Sequence, residues 1–194
     1  MLRRFDDKRR KVACIGASYK FVHQAIRDMM IAGRFENTDV WLYDIDQVAT
    51  DLEHDVIARM AKQVGSEIAV HKAASRAEAL DGADYVITSL LVGGMDVAEE
   101  EDNICQSYGI RHTVGDTIGP MSTARCLRMV PLLLSIAGDM EKYCPHAPLL
   151  SVTNPMAVLT NAVNNNTKID CIGICHGTGH QVKQIAKAYD VDFK

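Results

Sequence analysis

The sequence predicts an α/β fold, a doubly wound parallel sheet with helices on both faces. Two features predict it. Apolar runs of strand length alternate with longer patterns of helical period from residue 12 to the end. Glycine or polar turn residues stand just after several of those runs, where an open α/β sheet places its ligands.

Val12 to Gly16 is the first strand, followed by a helix from Phe21 to Gly33. Val40 to Asp44 is the second, and Asp46 opens a helix to about Val64. Val48, Leu52, Val56 and Met60 recur there at helical spacing, the expected core face. Ile68 to Val70 is a short third strand, with a brief helix over Ala74 to Leu80. The fourth strand, Asp84 to Leu91, ends in Val92-Gly93-Gly94. A helix from about Asp96 to Tyr108 carries Glu99, Glu100, Glu101 and Asp102, read as a solvated acidic face near a helix start. After a loop, Arg111 to Pro120, comes a helix from Met121 to about Tyr143, which Pro131 should kink or divide. Leu149 to Val152 is the fifth strand, and a helix after Asn154-Pro155 runs to roughly Val163. The sixth strand, Ile169 to Ile174, leads to Cys175, and Gln181 to Tyr189 closes the chain.

The 194 residues suffice for one good-sized domain, with 47% apolar and 24% charged residues. A net charge of −4 gives no reason to expect nucleic acid. No apolar run reaches membrane-spanning length and no secretory leader is visible, so no membrane partner is expected. Six cysteines without an export signal point to a reducing cytoplasm, with Cys14, Cys126 and Cys171 as small buried hydrophobes. Residues 1–10 read as a solvated basic tail, and 11–194 as a Rossmann-like nucleotide-binding domain.

Gly16-Ala17-Ser18 sits between the first strand and the first helix, where backbone N–H groups can hold a pyrophosphate. Asp44 closes the second strand, where a ribose 2′-hydroxyl would be held and a 2′-phosphate repelled. Together they point to NAD. A plain tight turn would also account for Gly16, and Asp46 reads as a helix N-cap. Asn154 either offers its amide to a ligand hydroxyl or makes an Asn-Pro turn. Asp116, in Gly115-Asp116-Thr117-Ile118-Gly119-Pro120, either contacts substrate or caps the next helix. Cys175 and His176 are well placed to bind a soft or borderline metal; the alternatives are a buried cysteine and a surface histidine. His23, His54, His71, His112 and His146 read as surface or core residues.

With these residues in place, the sequence resembles glycoside hydrolase family 4, the NAD- and divalent-metal-dependent glycosidases. The resemblance is carried by Gly16-Ala17-Ser18, Leu42-Tyr43-Asp44-Ile45-Asp46, Leu91-Val92-Gly93-Gly94 and the Gly115–Pro120 loop. It continues through Leu127-Arg128-Met129-Val130-Pro131, Thr153-Asn154-Pro155-Met156 and Gly173-Ile174-Cys175-His176-Gly177, in family order. It implies a lactate/malate-dehydrogenase-like fold, and Cys175 as a ligand of Mn2+ or a similar divalent metal. It implies Asn154 as a substrate- and cofactor-binding residue near the nicotinamide, and His176 as a substrate-contacting or proton-donating residue. The Cys-His pair is similar to members taking unphosphorylated sugars, so the implied substrate is an α-glucoside, α-galactoside or α-galacturonide. The implied chemistry is oxidation, elimination, addition and reduction with NAD regenerated. The first turn departs from the family in lacking a second glycine. A second metal-ligating His, a Tyr base and the substrate domain are expected beyond Lys194, with a homo-oligomer at full length. By itself the chain would then be an inactive NAD-binding module, and a 2-hydroxy-acid dehydrogenase-like oxidoreductase is the remaining alternative.

Overall fold

The alternation of apolar runs and helical stretches becomes thirteen elements in the computed structural model, which describes residues 8–17, 21–33, 35–175 and 177–192. They are β1 (Arg10–Ile15), α1 (Val22–Ala32), β2 (Thr38–Tyr43), α2 (Gln47–Val64), β3 (Ala69–Lys72), α3 (Arg76–Leu80) and β4 (Tyr85–Thr88). The chain continues through α4 (Gly94–Ser107), α5 (Pro120–Tyr143), β5 (Leu149–Ser151), α6 (Met156–Asn166), β6 (Cys171–Gly173) and α7 (Gly177–Ala188).

All six strands are parallel, in the order β3-β2-β1-β4-β5-β6. Crossing from β3 over to β4 reverses the direction of growth beside β1, the switch point at which such sheets open a crevice. Side chains alternate across the sheet. Val12, Cys14, Val40 and Leu42 face α1 and α2, burying Ile26, Ile57 and Ala61 with them. Ala13, Ile15, Val86, Leu149 and Cys171 face the other way, under Leu80 of α3, Met129 and Leu133 of α5 and Leu159 of α6. Beyond α1 the first face is open: the β4–β6 residues in register with Cys14 include half-buried Leu150 and Ile172, which is 53% exposed.

Four local expectations need correction. The buried stripe of α2 is Thr50, Ile57 and Ala61, while Val48 and Leu52 are exposed. Of the expected stripe only Met60 packs against this core cluster, from its margin. Strand β4 is shorter than expected, because after Thr88 the chain bends toward the Gly93-Gly94 turn, both glycines at positive φ. Glu101 is buried, not solvated. Pro131 does not divide α5, which is continuous for 24 residues with the proline on its exposed side. Asp46 is the N-cap of α2 as expected, its carboxylate accepting from the Ala49 N–H at 2.9 Å.

Candidate active site at the carboxyl edge of the sheet

Every β-strand runs the same way, so β1, β2, β4, β5 and β6 deliver Gly16, Asp44, Ser89–Gly93, Asn154 and Cys175 to one edge. A cleft of about 410 Å³ opens there, bounded by Gly16, Asp44, Ser89, Gly93 and, from α5, Leu132 and Ile136. Gly16 has φ +81°, and a Cβ on it would lie 2.1 Å from the Ser89 carbonyl oxygen and 2.6 Å from Cδ2 of Leu90. Only glycine lets the turn lie this close to the end of β4. The Gly16 and Ala17 N–H groups donate to the Tyr43 carbonyl at 3.0 and 3.3 Å, and Ala17 is fully buried. Ala17 thus shapes the turn with its side chain inside. Asp44 stands on the cleft wall, accepting from the Asp46 N–H at 3.1 Å. Ser18 lies outside the described residues.

Thr153 joins the ends of β4 and β5: its buried hydroxyl donates to the Thr88 carbonyl at 3.3 Å and accepts from the Leu90 N–H at 3.0 Å. Asn154 follows, linked to Pro155 by a cis peptide bond. Its Nδ2 donates to Oδ2 of Asp116 at 2.8 Å, so two residues singled out in the sequence meet across a 38-residue separation. Asp116 does not cap α5, whose N-cap is Gly119 without a side-chain hydrogen bond. Its Oδ2 is also 3.3 Å from Nη1 of Arg125, a buried arginine of α5, and its Oδ1 accepts from the Thr117 hydroxyl at 3.1 Å.

The loop carrying Asp116 is wrapped around His112. A Cβ on Gly115 would lie 2.9 Å from the His112 ring, and one on Gly119 2.8 Å from its Nε2. Both glycines have positive φ, so the pair of glycines bracketing Asp116 is what lets the loop close on the imidazole. A second anchor lies beneath the Gly93 turn. Arg128 of α5 pairs through both terminal guanidinium nitrogens with buried Glu101 of α4, and its Nε–H donates to the Val92 carbonyl at 3.4 Å. The bond to Glu101 raises the Arg128 pKa further.

Cys175, two residues past β6, is exposed, which removes the reading of a buried structural thiol. Its sulfur accepts from the Gly177 N–H at 3.4 Å, at the first residue of α7. The contrast is Cys14, whose complete burial pushes its thiol up to about 12. His176 lies outside the described residues. Among the described residues no group of three or more His, Cys, Asp or Glu side chains gathers to hold a metal.

The pairings of Arg125, Glu101 and Arg128 escaped sequence reading, although Arg125 and Glu101 carried a signal. Arg125 stands in the buried α5 stripe Met121, Ser122, Arg125, Met129, Leu133, and Glu101 in the α4 stripe Ala98, Glu101, Cys105. A charge on an apolar stripe needs a buried partner.

The sequence model of the family 4 glycosyl hydrolases matches residues 11–191. This chain belongs to that family. Among curated relatives, an alpha-galactosidase of Bacillus subtilis is 34% identical over 185 residues, covering 94% of this chain and 43% of the relative. An alpha-galacturonidase of Thermoanaerobacter italicus is 34% identical over 180 residues, covering 92% and 39%. The chain therefore spans well under half the length of these glycosidases. Of solved structures, Bacillus subtilis lplD superposes with a TM-score of 0.82 at 28% identity, over 96% of this chain and 43% of that one. The 6-phospho-beta glucosidase of Thermotoga maritima, solved with manganese, NAD+ and glucose-6-phosphate, gives 0.82 at 22% over 94% and 44%. Lactate dehydrogenase of Eimeria maxima, solved with NADH and oxamate, gives 0.65 at 19% over 96% and 50%, so the family 4 sheet here shares the dehydrogenase architecture. Among the described residues no helix is long and apolar enough to cross a membrane.

Proposed function

We propose that this chain is the nucleotide-binding part of a glycosidase that uses NAD and a divalent metal, manganese or similar, to cleave unphosphorylated α-glycosides. The observation that carries the reading is the meeting of Asp116 and Asn154 at the same sheet edge as the Gly16–Asp44 cleft. That edge is where a dinucleotide and a small ligand would lie side by side. The two curated relatives named above, an alpha-galactosidase and an alpha-galacturonidase, support an unphosphorylated α-linked sugar.

The cleft fits a dinucleotide: Gly16 holds the β1 turn close against the end of β4 on the cleft wall, and Asp44 offers a carboxylate to a ribose hydroxyl. That carboxylate also favours NAD over its 2′-phosphorylated form. For the metal, Cys175 supplies one exposed sulfur at the same edge, and the remaining ligands must come from elsewhere, His176 or further protein among them. When bound, the nicotinamide would take and return a hydride at the sugar while the ion withdraws charge from an adjoining oxygen. The chain's own contributions are then to bind and orient, with Asn154 at a sugar hydroxyl and Asp116 behind it, while His176 is the proton-transfer group proposed from the sequence. The net sequence of such a reaction would be oxidation, elimination, addition of water and reduction, leaving NAD unconsumed. Because the chain spans 39–43% of those relatives, by itself it would bind NAD without turning over.

The test is hydrolysis of p-nitrophenyl α-galactoside and α-galacturonide by the intact protein. Turnover should require NAD, Mn2+ and a thiol reductant, and solvent deuterium should enter C2 of the released sugar. Undiminished hydrolysis after NAD removal and chelation would overturn the reading. Turnover of 6-phosphoglycosides alone would overturn the substrate class.

A further inference from the structure

Arg125 has no part in the binding just described, yet it is a buried charge beside Asp116, with 9% of its side chain exposed. A guanidinium keeps its proton in any protein interior, so its charge is buried with it. The acid beside it is Asp116, at 3.3 Å, while its Nε is buried without a hydrogen-bond partner. The Asp116 oxygen it faces is the one that accepts from Asn154 at 2.8 Å. Paired with a guanidinium, Asp116 acts as a carboxylate, which accepts hydrogen bonds and donates none. It therefore selects the NH2 end of the Asn154 amide and leaves Oδ1 as the amide's outward chemistry. Among the described residues nothing donates to that Oδ1.

We propose that Arg125 is a positioning residue. By fixing Asp116 it sets the polarity of Asn154, so that the site presents a hydrogen-bond acceptor and selects a ligand hydroxyl over an ether or carbonyl oxygen. The identity of the ligand as a sugar rests on the glycosidase reading; the Arg125–Asp116–Asn154 relay does not. The relay also accounts for a charge standing on the apolar stripe of α5, where packing alone would favour an aliphatic residue.

Two measurements decide it. In the intact protein, Arg125→Met and Asp116→Asn should each lower kcat/KM for the α-glycoside on the order of 10–100-fold, the range of directly coupled pairs. Adding Arg125→Met to Asp116→Asn should change it by less than about threefold. Losses that multiply instead would show that Arg125 acts independently of Asp116 and overturn the proposal. The second readout needs no substrate. The Asn154 side-chain amide protons, followed by 15N NMR, should exchange slowly in the wild type and at solvent rates in both single variants. Protection retained in Arg125→Met overturns the relay whatever the enzyme cleaves. If that variant does not fold, Arg125→Lys keeps the charge but not the planar fork, and should give intermediate exchange. A wild type that cleaves no glycoside with NAD and manganese defeats the glycosidase reading alone, because the exchange measurement still stands.

Discussion

Replacing Gly16 with alanine tests how tightly the first turn is drawn against the fourth strand. The new Cβ would sit 2.1 Å from the Ser89 carbonyl oxygen, a backbone atom in a segment held to β1 by the Ser89 N–H bond to the Ile15 carbonyl at 3.1 Å. Nothing there can rotate away. An L-residue at φ +81° costs about 1–2 kcal/mol. Overpacking against a fixed neighbour costs a further 1–3 kcal/mol, roughly. The sum, about 2–5 kcal/mol, is a large share of the roughly 5–15 kcal/mol that holds a domain folded. For a chain of this size it corresponds to a fall in Tm of roughly 4–20 °C. Thermal denaturation measures it directly, and calorimetry with NAD should show affinity down on the order of tenfold, since the turn must move from where a pyrophosphate would lie. A Tm within about 2 °C of wild type with unchanged NAD affinity would refute the close-approach argument.

Other outcomes follow from burial and charge. Thiol reagents should label exposed Cys175 first and Cys14 only on unfolding; Mn2+ with NAD should slow the Cys175 reaction, and labelling rates indifferent to both would count against its ligand role. Arg128→Met should destabilise by about 3–5 kcal/mol, because Glu101 is left with 8% of its side chain exposed. Glu101→Ala should cost only about 1–2 kcal/mol, because Arg128 is a quarter exposed; denaturant melts showing the reverse order would contradict this. Asp39 accepts from Arg9 at 2.5 and 2.7 Å and meets His71 at 3.0 Å, which holds its carboxyl down at about 2. Its contribution is then complete above about pH 4 and lost as pH falls toward 2. Asp39→Asn should flatten the acid limb of stability by about 0.5–1 kcal/mol, reduced by exposure, and superimposable acid limbs would exclude it.

The strands were legible because a buried parallel sheet needs apolar runs whatever surrounds it, and the turn residues at Gly16, Asp44 and Asn154 stand where those runs stop. Their pairing was less so. That Asp116 and Asn154 touch depends on how α5 lies over the sheet, which no local pattern encodes. Similarly, periodicity marked α2 as amphipathic but could not choose between the stripe with Val48 and Leu52 and the one with Ile57 and Ala61. Glu101 was hidden among three other acids; its spacing from Ala98 and Cys105 was the better guide than its charge.

The joint between Asp116 and Asn154 has a thermodynamic corollary. The groups facing the cleft and its neighbourhood come from β1, β2, β4, β5 and the loop before α5, so no hairpin or single βα unit of the chain owns a binding site. A molecule bridging them contacts the native arrangement and nothing smaller. Its free energy of binding therefore adds to the cooperative unfolding of the entire sheet, rising with the logarithm of ligand concentration, and leaves the fraying of peripheral helices such as α7 untouched.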